Sequence, residues 1–344
     1  MSSAAKNLVL LAAVLIVCAG FAEGAARAVG LKPRVAKVNE FFVSGTDTTW
    51  SVPDAELGWV NKPGTSRSIE EGAAHMTFWS DGRRASRPDP APKDGTPLMV
   101  IGGSNAQSYG VRDEDSFVWR LAERYPQLWF ENFGGGGYST VQAMLTAKRA
   151  LSTIYRERKP TLILLAFDDS HMLRNVADQS WIFSISDPEG RYVVPPHARL
   201  ANGKLAFHPF TTIDYWPLER HSALVTAVHD AWLRKVLYDT AAEALPVTRQ
   251  VIADLAAFAR EQGAQFAVVV LEDRTQIAGK LFADASFPHV DCSAPGRDDP
   301  KRYLLGGNSH PNPALHAYFA DCISDWLNTE TIPQISQARS GLQP

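Results

Sequence analysis

The sequence predicts an α/β fold: a parallel sheet with helices packed on both faces. Two observations carry this expectation. Short apolar runs alternate along the chain with stretches whose apolar residues recur at helical spacing. Each apolar run is also continuous rather than alternating, as a strand buried on both faces requires. From Pro97 onward, residues 98–101 form the first apolar run and end in Gly102 and Gly103. Residues 116–124 read as a helix, and 128–130 as a second short strand. Val141, Met144, Leu145, Lys148, Leu151 and Ile154 are spaced for one mostly apolar helix face. A third strand, 161–166, is bounded by Pro160. Residues 246–261 are helical, with Val247, Val251, Leu255 and Phe258 on one side, and 266–271 is again an apolar strand. A final amphipathic helix over 314–327 turns Leu315, Phe319, Cys322, Ile323 and Trp326 inward. Residues 174–245 break the alternation with a Gly/Pro-rich stretch and a helix near 222–238. They read as an insertion able to cover a site at the strand ends.

The N-terminus is of another kind. Residues 8–22 carry no charge, which suits a signal h-region and is short for a spanning helix unless it extends through 24–30. Residues 1–30 are therefore a signal anchor or a signal peptide, with cleavage after Ala22 as the second option. Val17 precedes Cys18 where a lipoprotein signal wants a small residue, which argues against lipidation. Arg27, Lys32, Arg34 and Lys37 follow the segment and by the positive-inside rule oppose export of what comes after. Residues 31–95, rich in Gly, Pro, Ser and Asp, read as an irregular lead-in without its own core. Residues 96–330 then form the main domain, with a tail over 331–344.

Composition narrows the function classes. The chain has 344 residues, 45% hydrophobic and 21% charged, with a formal net charge of −3. Lys and Arg are scattered, and no basic stripe exists to neutralise phosphates, so nucleic acid is not an expected partner. No Cys-x-x-Cys occurs and no two histidines stand at helix-face ligand spacing, so no metal or other cofactor is expected. The glycine run at 134–137 lacks the G-x-x-x-x-G-K-[ST] phosphate pattern. Cys292 and Cys322 are either one disulfide in an oxidising compartment or two separate thiols.

Four segments at strand ends carry the chemistry-bearing residues, where sites gather in parallel sheets. Gly102-Gly103-Ser104 follows the first strand and exposes a serine in a glycine-rich turn, beside backbone N–H groups able to hold an oxyanion. Asn132-Phe133-Gly134-Gly135-Gly136-Gly137 follows the second strand and opens a helix, whose free N–H groups favour negative charge. Asp168-Asp169-Ser170-His171, with Arg174 and Asn175, follows the third. Asn308-Ser309-His310-Pro311 precedes the last helix.

Taken in order, these segments resemble the conserved blocks of the SGNH (GDSL-type) hydrolases and acyltransferases, over roughly residues 97–327. Ser104, Gly110 and Val111 match the first block; Asn132, Gly134 and Gly137 the second; His310 and Pro311 the last. The lead-in 54–63, the segment 80–83 and the N-terminal anchor look like the membrane-anchored bacterial members. The resemblance implies a flavodoxin-like three-layer α/β/α sandwich. It implies a serine esterase or acyltransferase with Ser104 as nucleophile and His310 as base. Backbone N–H groups of Ser104 and Gly134 would hold the oxyanion. Three positions depart from the pattern. Gly103 replaces the aspartate before the serine. The oxyanion asparagine is absent, and His171 takes its place in an ungapped alignment, with Asp169 the other choice. Asn308 replaces the aspartate that orients the histidine, unless Asp298 or Asp299 supplies a carboxylate. The expected substrate is an acyl ester of an envelope glycan or a lipid, and the expected location is membrane-anchored on the periplasmic or extracytoplasmic side. The departures leave a second expectation: a catalytically silent protein of the same fold that binds a glycan or a protein.

Overall fold

The computed structural model describes residues 2–35, 50–64, 66–68, 75–90, 95–185, 190–237, 241–293 and 310–331. Five parallel strands form the central sheet: β1 (Thr96–Gly102), β2 (Leu128–Asn132), β3 (Leu162–Asp168), β4 (Gln265–Glu272) and β5 (His289–Asp291). Their order across the sheet is β5-β4-β3-β1-β2. This is the flavodoxin-like 2-1-3-4-5 arrangement, whose switch point lies between β1 and β3.

Side-chain alternation along each strand explains why the apolar runs are continuous. Leu98, Val100, Leu164, Val269 and Leu271 point to one face. There they pack against Phe117 and Leu121 of α2 (Phe117–Arg124) and Phe319 and Ile323 of α6 (Pro313–Trp326). Met99, Ile101, Leu165, Phe167, Val268 and Val270 point to the other. They meet Ala143, Ala147 and Leu151 of α3 (Thr140–Ser152) and Ile252 and Leu255 of α5 (Ala244–Glu261). Both faces are thus covered, giving three layers, α/β/α.

Helix ends follow local chemistry. Ser116 and Ser139 cap α2 and α3, the latter as a reciprocal capping box with Gln142. Asn312 caps α6 ahead of Pro313. One expected residue falls elsewhere: α3 stops at Ser152, so Ile154 is 42% exposed and Tyr155 fills the apolar space instead. The edge strand β5 has no apolar run to announce it.

The insertion folds as two antiparallel pairs, Arg191–Val194 with Thr211–Asp214 and His197–Ala201 with Lys204–His208, followed by α4 (Ala223–Val236). Ahead of the sheet, Ser51–Asp54 pairs with Gly58–Asn61 and Ser66–Ser68 with His75–Thr77. The N-terminal helix α1 (Ser3–Ala28) is 26 residues long and apolar enough to cross a membrane.

Cys292, just beyond β5, is disulfide-bonded to Cys322 of α6, closing a loop with a sequence separation of 30 that contains His310. Cross-linking a loop of this length stabilises by about 3–4 kcal/mol in the chain-entropy account. Replacing both cysteines with serine should lower the urea unfolding free energy by about that amount; no change would mean that α6 docking alone fixes the loop.

His316 of α6 is fully buried against Phe117 and Phe319. Burial, reinforced by the charges of Arg84, Arg120 and His310, pushes its pKa down to about 3. An unfolded imidazole takes up its proton near pH 6.5. Stability is therefore lost as the pH falls from about 6.5 toward 3, by about 3 kcal/mol from this group at pH 4.5. Chemical unfolding of His316→Leu at pH 7 and pH 4.5 should show a smaller acid loss than the parent protein; an equal loss would assign the effect to other groups.

Candidate active site

Ser104 begins a single helical turn, Ser104–Gln107, at the end of β1. Its Oγ lies 3.0 Å from Nε2 of His310, which reaches it from the loop before α6 across a sequence separation of 206. The imidazole of His310 packs on Tyr109, with ring centroids 4.8 Å apart. Both residues line a cavity of about 550 Å³ at the strand ends. Asp168, Asp169 and Ser170 after β3 line it too, as do Arg174, and Glu272 and Arg274 after β4. Met172, Leu173, Ala241, Ala244 and Ile277 give it an apolar side.

The turn is held by close packing on two sides. A Cβ on Gly103 would meet His171 Nε2 at 2.7 Å, Tyr138 O at 3.1 Å and Arg174 Nη1 at 3.4 Å. A Cβ on Gly134 would meet the Gln107 nitrogen at 2.1 Å. Gly103, where the resembling family has aspartate, thus coincides with an imidazole standing where a side chain would go.

The same packing surrounds two of the residues expected at the oxyanion. Gly134 lies beneath the turn, and its N–H donates to Asn132 Oδ1 at 2.9 Å while its carbonyl accepts from Asn61 Nδ2 at 3.0 Å. That N–H is thus already bonded within the protein, and Gly134 packs against the turn. His171 is fully buried and forms no part of the cavity wall. Its Nε2 is 3.3 Å from Asp168 Oδ2 and its Nδ1 3.4 Å from Thr140 Oγ1. Burial, assisted by Arg174, lowers its pKa, so the imidazole is neutral at pH 7. Burial alone would raise Asp168, but neighbouring charge and hydrogen bonds from Ser170 hold its carboxyl below the usual range. With His171 neutral, Arg174 supplies that charge. His171 thus stands against Gly103, away from the cavity lining.

Arg174, one helical turn past His171, lines the cavity. Its Nη1 donates to Tyr138 O at 3.2 Å, its guanidinium lies 4.5 Å from the ring centre of Trp181, and it forms no ion pair within 4.0 Å among the described residues. The remaining N–H groups belong to a cation on the cavity wall beside the nucleophile turn. Asn175 turns away and joins helices, accepting from Val141 N at 3.0 Å and donating to Thr248 Oγ1 at 2.9 Å. Asn308, Asp298 and Asp299 lie outside the described residues. Among the described residues, no group of His, Cys, Asp and Glu is arranged to hold a metal ion.

Solved structures similar to this chain include GDSL and SGNH hydrolases. One is a lipolytic protein of the G-D-S-L family from Veillonella parvula, 11% identical, covering 68% of this chain and 100% of its own, with a TM-score of 0.41. A second is the psychrotrophic esterase EstA from a Pseudoalteromonas species, 12% identical over 68% of this chain and 100% of its own, TM-score 0.40. A third is AlinE4, an SGNH-hydrolase family esterase, 13% identical over 74% and 100%, TM-score 0.35. No protein-family model matches the sequence, and no curated protein matches it.

The lead-in supplies residues that sequence reasoning passed over. Asn61 bridges the two glycine-dependent segments, accepting from Gln107 Nε2 at 2.6 Å while donating to Gly134 O. Trp59 Nε1 donates to Gly136 O at 2.7 Å, and Tyr138 Oη donates to Trp59 O at 2.5 Å. Arg84, fully buried, donates to the carbonyls of Gln107 and Val111 and is paired with Asp113. Asn61 and Trp59 sit in a stretch that had been noticed; only its irregular composition hid their role.

If the turn is packed as described, Gly103→Ala should destabilise by about 1–3 kcal/mol. In a double-mutant cycle with His171→Ala, the pair should cost at least about 1 kcal/mol less than the sum, because removing the imidazole frees the space the new methyl needs. Additive costs measured by urea unfolding would refute the contact.

Proposed function

We propose that the protein is a serine-dependent acyl-transfer enzyme, an esterase or acyltransferase. The 3.0 Å contact between Ser104 Oγ and His310 Nε2 inside a lined cavity carries this reading. Ser104 Oγ attacks an ester carbonyl while His310 takes its proton, and His310 then protonates the leaving alcohol. Water or a second hydroxyl takes the acyl group from Ser104, with the proton returning through His310. The Ser104 N–H, freed by the start of the helical turn, and the Arg174 guanidinium stabilise the oxyanion. A charged donor in a partly desolvated wall is well suited to this, since a guanidinium keeps its proton. Asn308 is the proposed partner of the second imidazole nitrogen.

The cavity supports an acyl ester of a polyhydroxylated group, a glycan or a lipid headgroup. Its carboxylate and guanidinium side suits hydroxyls, and its Met172, Leu173 and Ile277 side suits an acyl chain. We place the domain outside the cytoplasm, held by α1. The disulfide supports this side. Of the cations that oppose it, Arg27 is paired with Glu23, and Arg34 with Glu219 and Asp230.

The test is hydrolysis of a short-chain nitrophenyl ester by the full chain in detergent. Ser104→Ala and His310→Ala should abolish turnover, and Asn308→Asp should raise it. Arg174→Gln should lower kcat about 100-fold with KM little changed, and Arg174→Lys should restore part of it. Turnover that survives Ser104→Ala would end the proposal.

A further inference from the structure

The end of α1 is built into the insertion rather than joined to it by a linker. Glu23 receives the Oγ of Ser222 at 2.7 Å and the N–H groups of Ala223 and Leu224 at 3.0 and 2.9 Å, so it caps the start of α4. Arg27 pairs with Glu23 at 2.6 Å and donates to His221 O at 2.8 Å. Six residues past α1, the Arg34 N–H donates to Glu219 O and to Thr226 Oγ1, both at 3.0 Å. The anchor therefore fixes where α4 sits relative to the segment that enters the bilayer.

The length of that segment sets the depth. Residues 7–22, between Lys6 and Glu23, carry no charge. At about 1.5 Å per residue these 16 residues span about 24 Å. A hydrocarbon core is about 30 Å thick. The deficit of about 6 Å is met by drawing the Glu23 end, and what is docked on it, into the headgroup layer.

The surface of α4 fits such a place. Ala223, Thr226, His229 and Leu233 face the domain and are buried. On the other side Val228, Trp232 and Val236, at successive i+4 positions, are 48%, 39% and 43% exposed. Exposed Arg234 and Lys235 adjoin this stripe in the last turn. Leu218, ahead of α4, is 67% exposed, and Val29, just past α1, is 76% exposed. An apolar stripe with a tryptophan, a basic end and an opposite buried face is the pattern of a helix lying in a membrane interface.

We infer that α4 lies along the membrane surface beside the anchor, with Val228, Trp232 and Val236 inserted among the lipids. The occupant of this stripe is the bilayer itself. The chain then reaches the cavity wall at Ala241, five residues past Val236, so the wall begins within about 17 Å of the membrane surface. On the esterase reading this brings membrane-borne esters within reach, but the placement of α4 does not depend on that reading.

The experiment uses the full chain in vesicles of phosphatidylcholine and phosphatidylglycerol, on a Cys18→Ser background. Nitroxide labels are attached through Val228→Cys, Trp232→Cys and Val236→Cys, and through Arg260→Cys, which lies at the opposite end of the sheet. At the three α4 positions collisions with oxygen should exceed those with a water-soluble nickel chelate, and at position 260 the order should reverse. Labels on α4 that behave like position 260 would overturn the inference. So would α4 labels shielded from both reagents, which would mean that a protein covers the stripe. As a second readout, Val228→Glu combined with Trp232→Glu should reduce hydrolysis of a vesicle-borne ester about tenfold and leave a soluble ester unaffected. Equal effects on both esters would also overturn it. Absence of any hydrolysis would count against the enzyme reading alone, since the labels report without catalysis.

Discussion

Close approach of backbone segments beneath Ser104 is the constraint on which the rest of the site depends. The strand-to-helix turn after β1 leaves no room for a side chain on Gly103, where His171 stands, or on Gly134, which lies under Gln107. With both sides occupied, the serine has one direction left, into the cavity and toward His310. The switch point between β1 and β3 makes this possible. The chain leaves β1 on one side of the sheet to build β2 and returns on the other to build β3, opening a crevice at that seam.

Around this seam the polar groups are spent in a definite way. Buried groups that could have met a substrate are instead paired with one another. Asn132 holds Gly134, Asn61 joins Gln107 to Gly134, and Asp168 is satisfied by Ser170. Leaving any of them unpaired in this interior would cost on the order of 1–3 kcal/mol. Among the described residues, Arg174 forms a backbone hydrogen bond and a ring contact on the cavity wall, with Asp168, Glu272 and Asp169 near enough to act on it by charge. A packed turn and a cation on the wall beside it are what the proposed oxyanion site requires.

Strands were the most legible part of the sequence, because burial on both faces writes an unbroken apolar run. The order of Ser104, the glycine segment, Asp168 and His310 was legible too, since all four follow strands or precede the last helix. Less legible were roles that depend on direction. Nothing in the order of residues 166–174 says which of His171 and Arg174 reaches the cavity, because they stand one helical turn apart on the same face. Gly134 and Gly137 are indistinguishable as letters; only the bond from Gly134 N–H to Asn132 tells that one is committed. The roles of Asn61 and Arg84 are not legible because most of their partners, backbone carbonyls and side chains alike, lie more than 20 residues away, and pattern reading finds periodicity rather than such contacts.

The distance along the chain between Ser104 and His310 has a consequence for timing. A ribosome makes Ser104 long before it makes His310, and the loop bearing His310 is closed only when Cys322 has also been made and has reached Cys292. While its C-terminal part is still unmade, the chain therefore holds Ser104 without the imidazole that contacts it. The 3.0 Å contact between Ser104 and His310 therefore forms only after the last helix has docked.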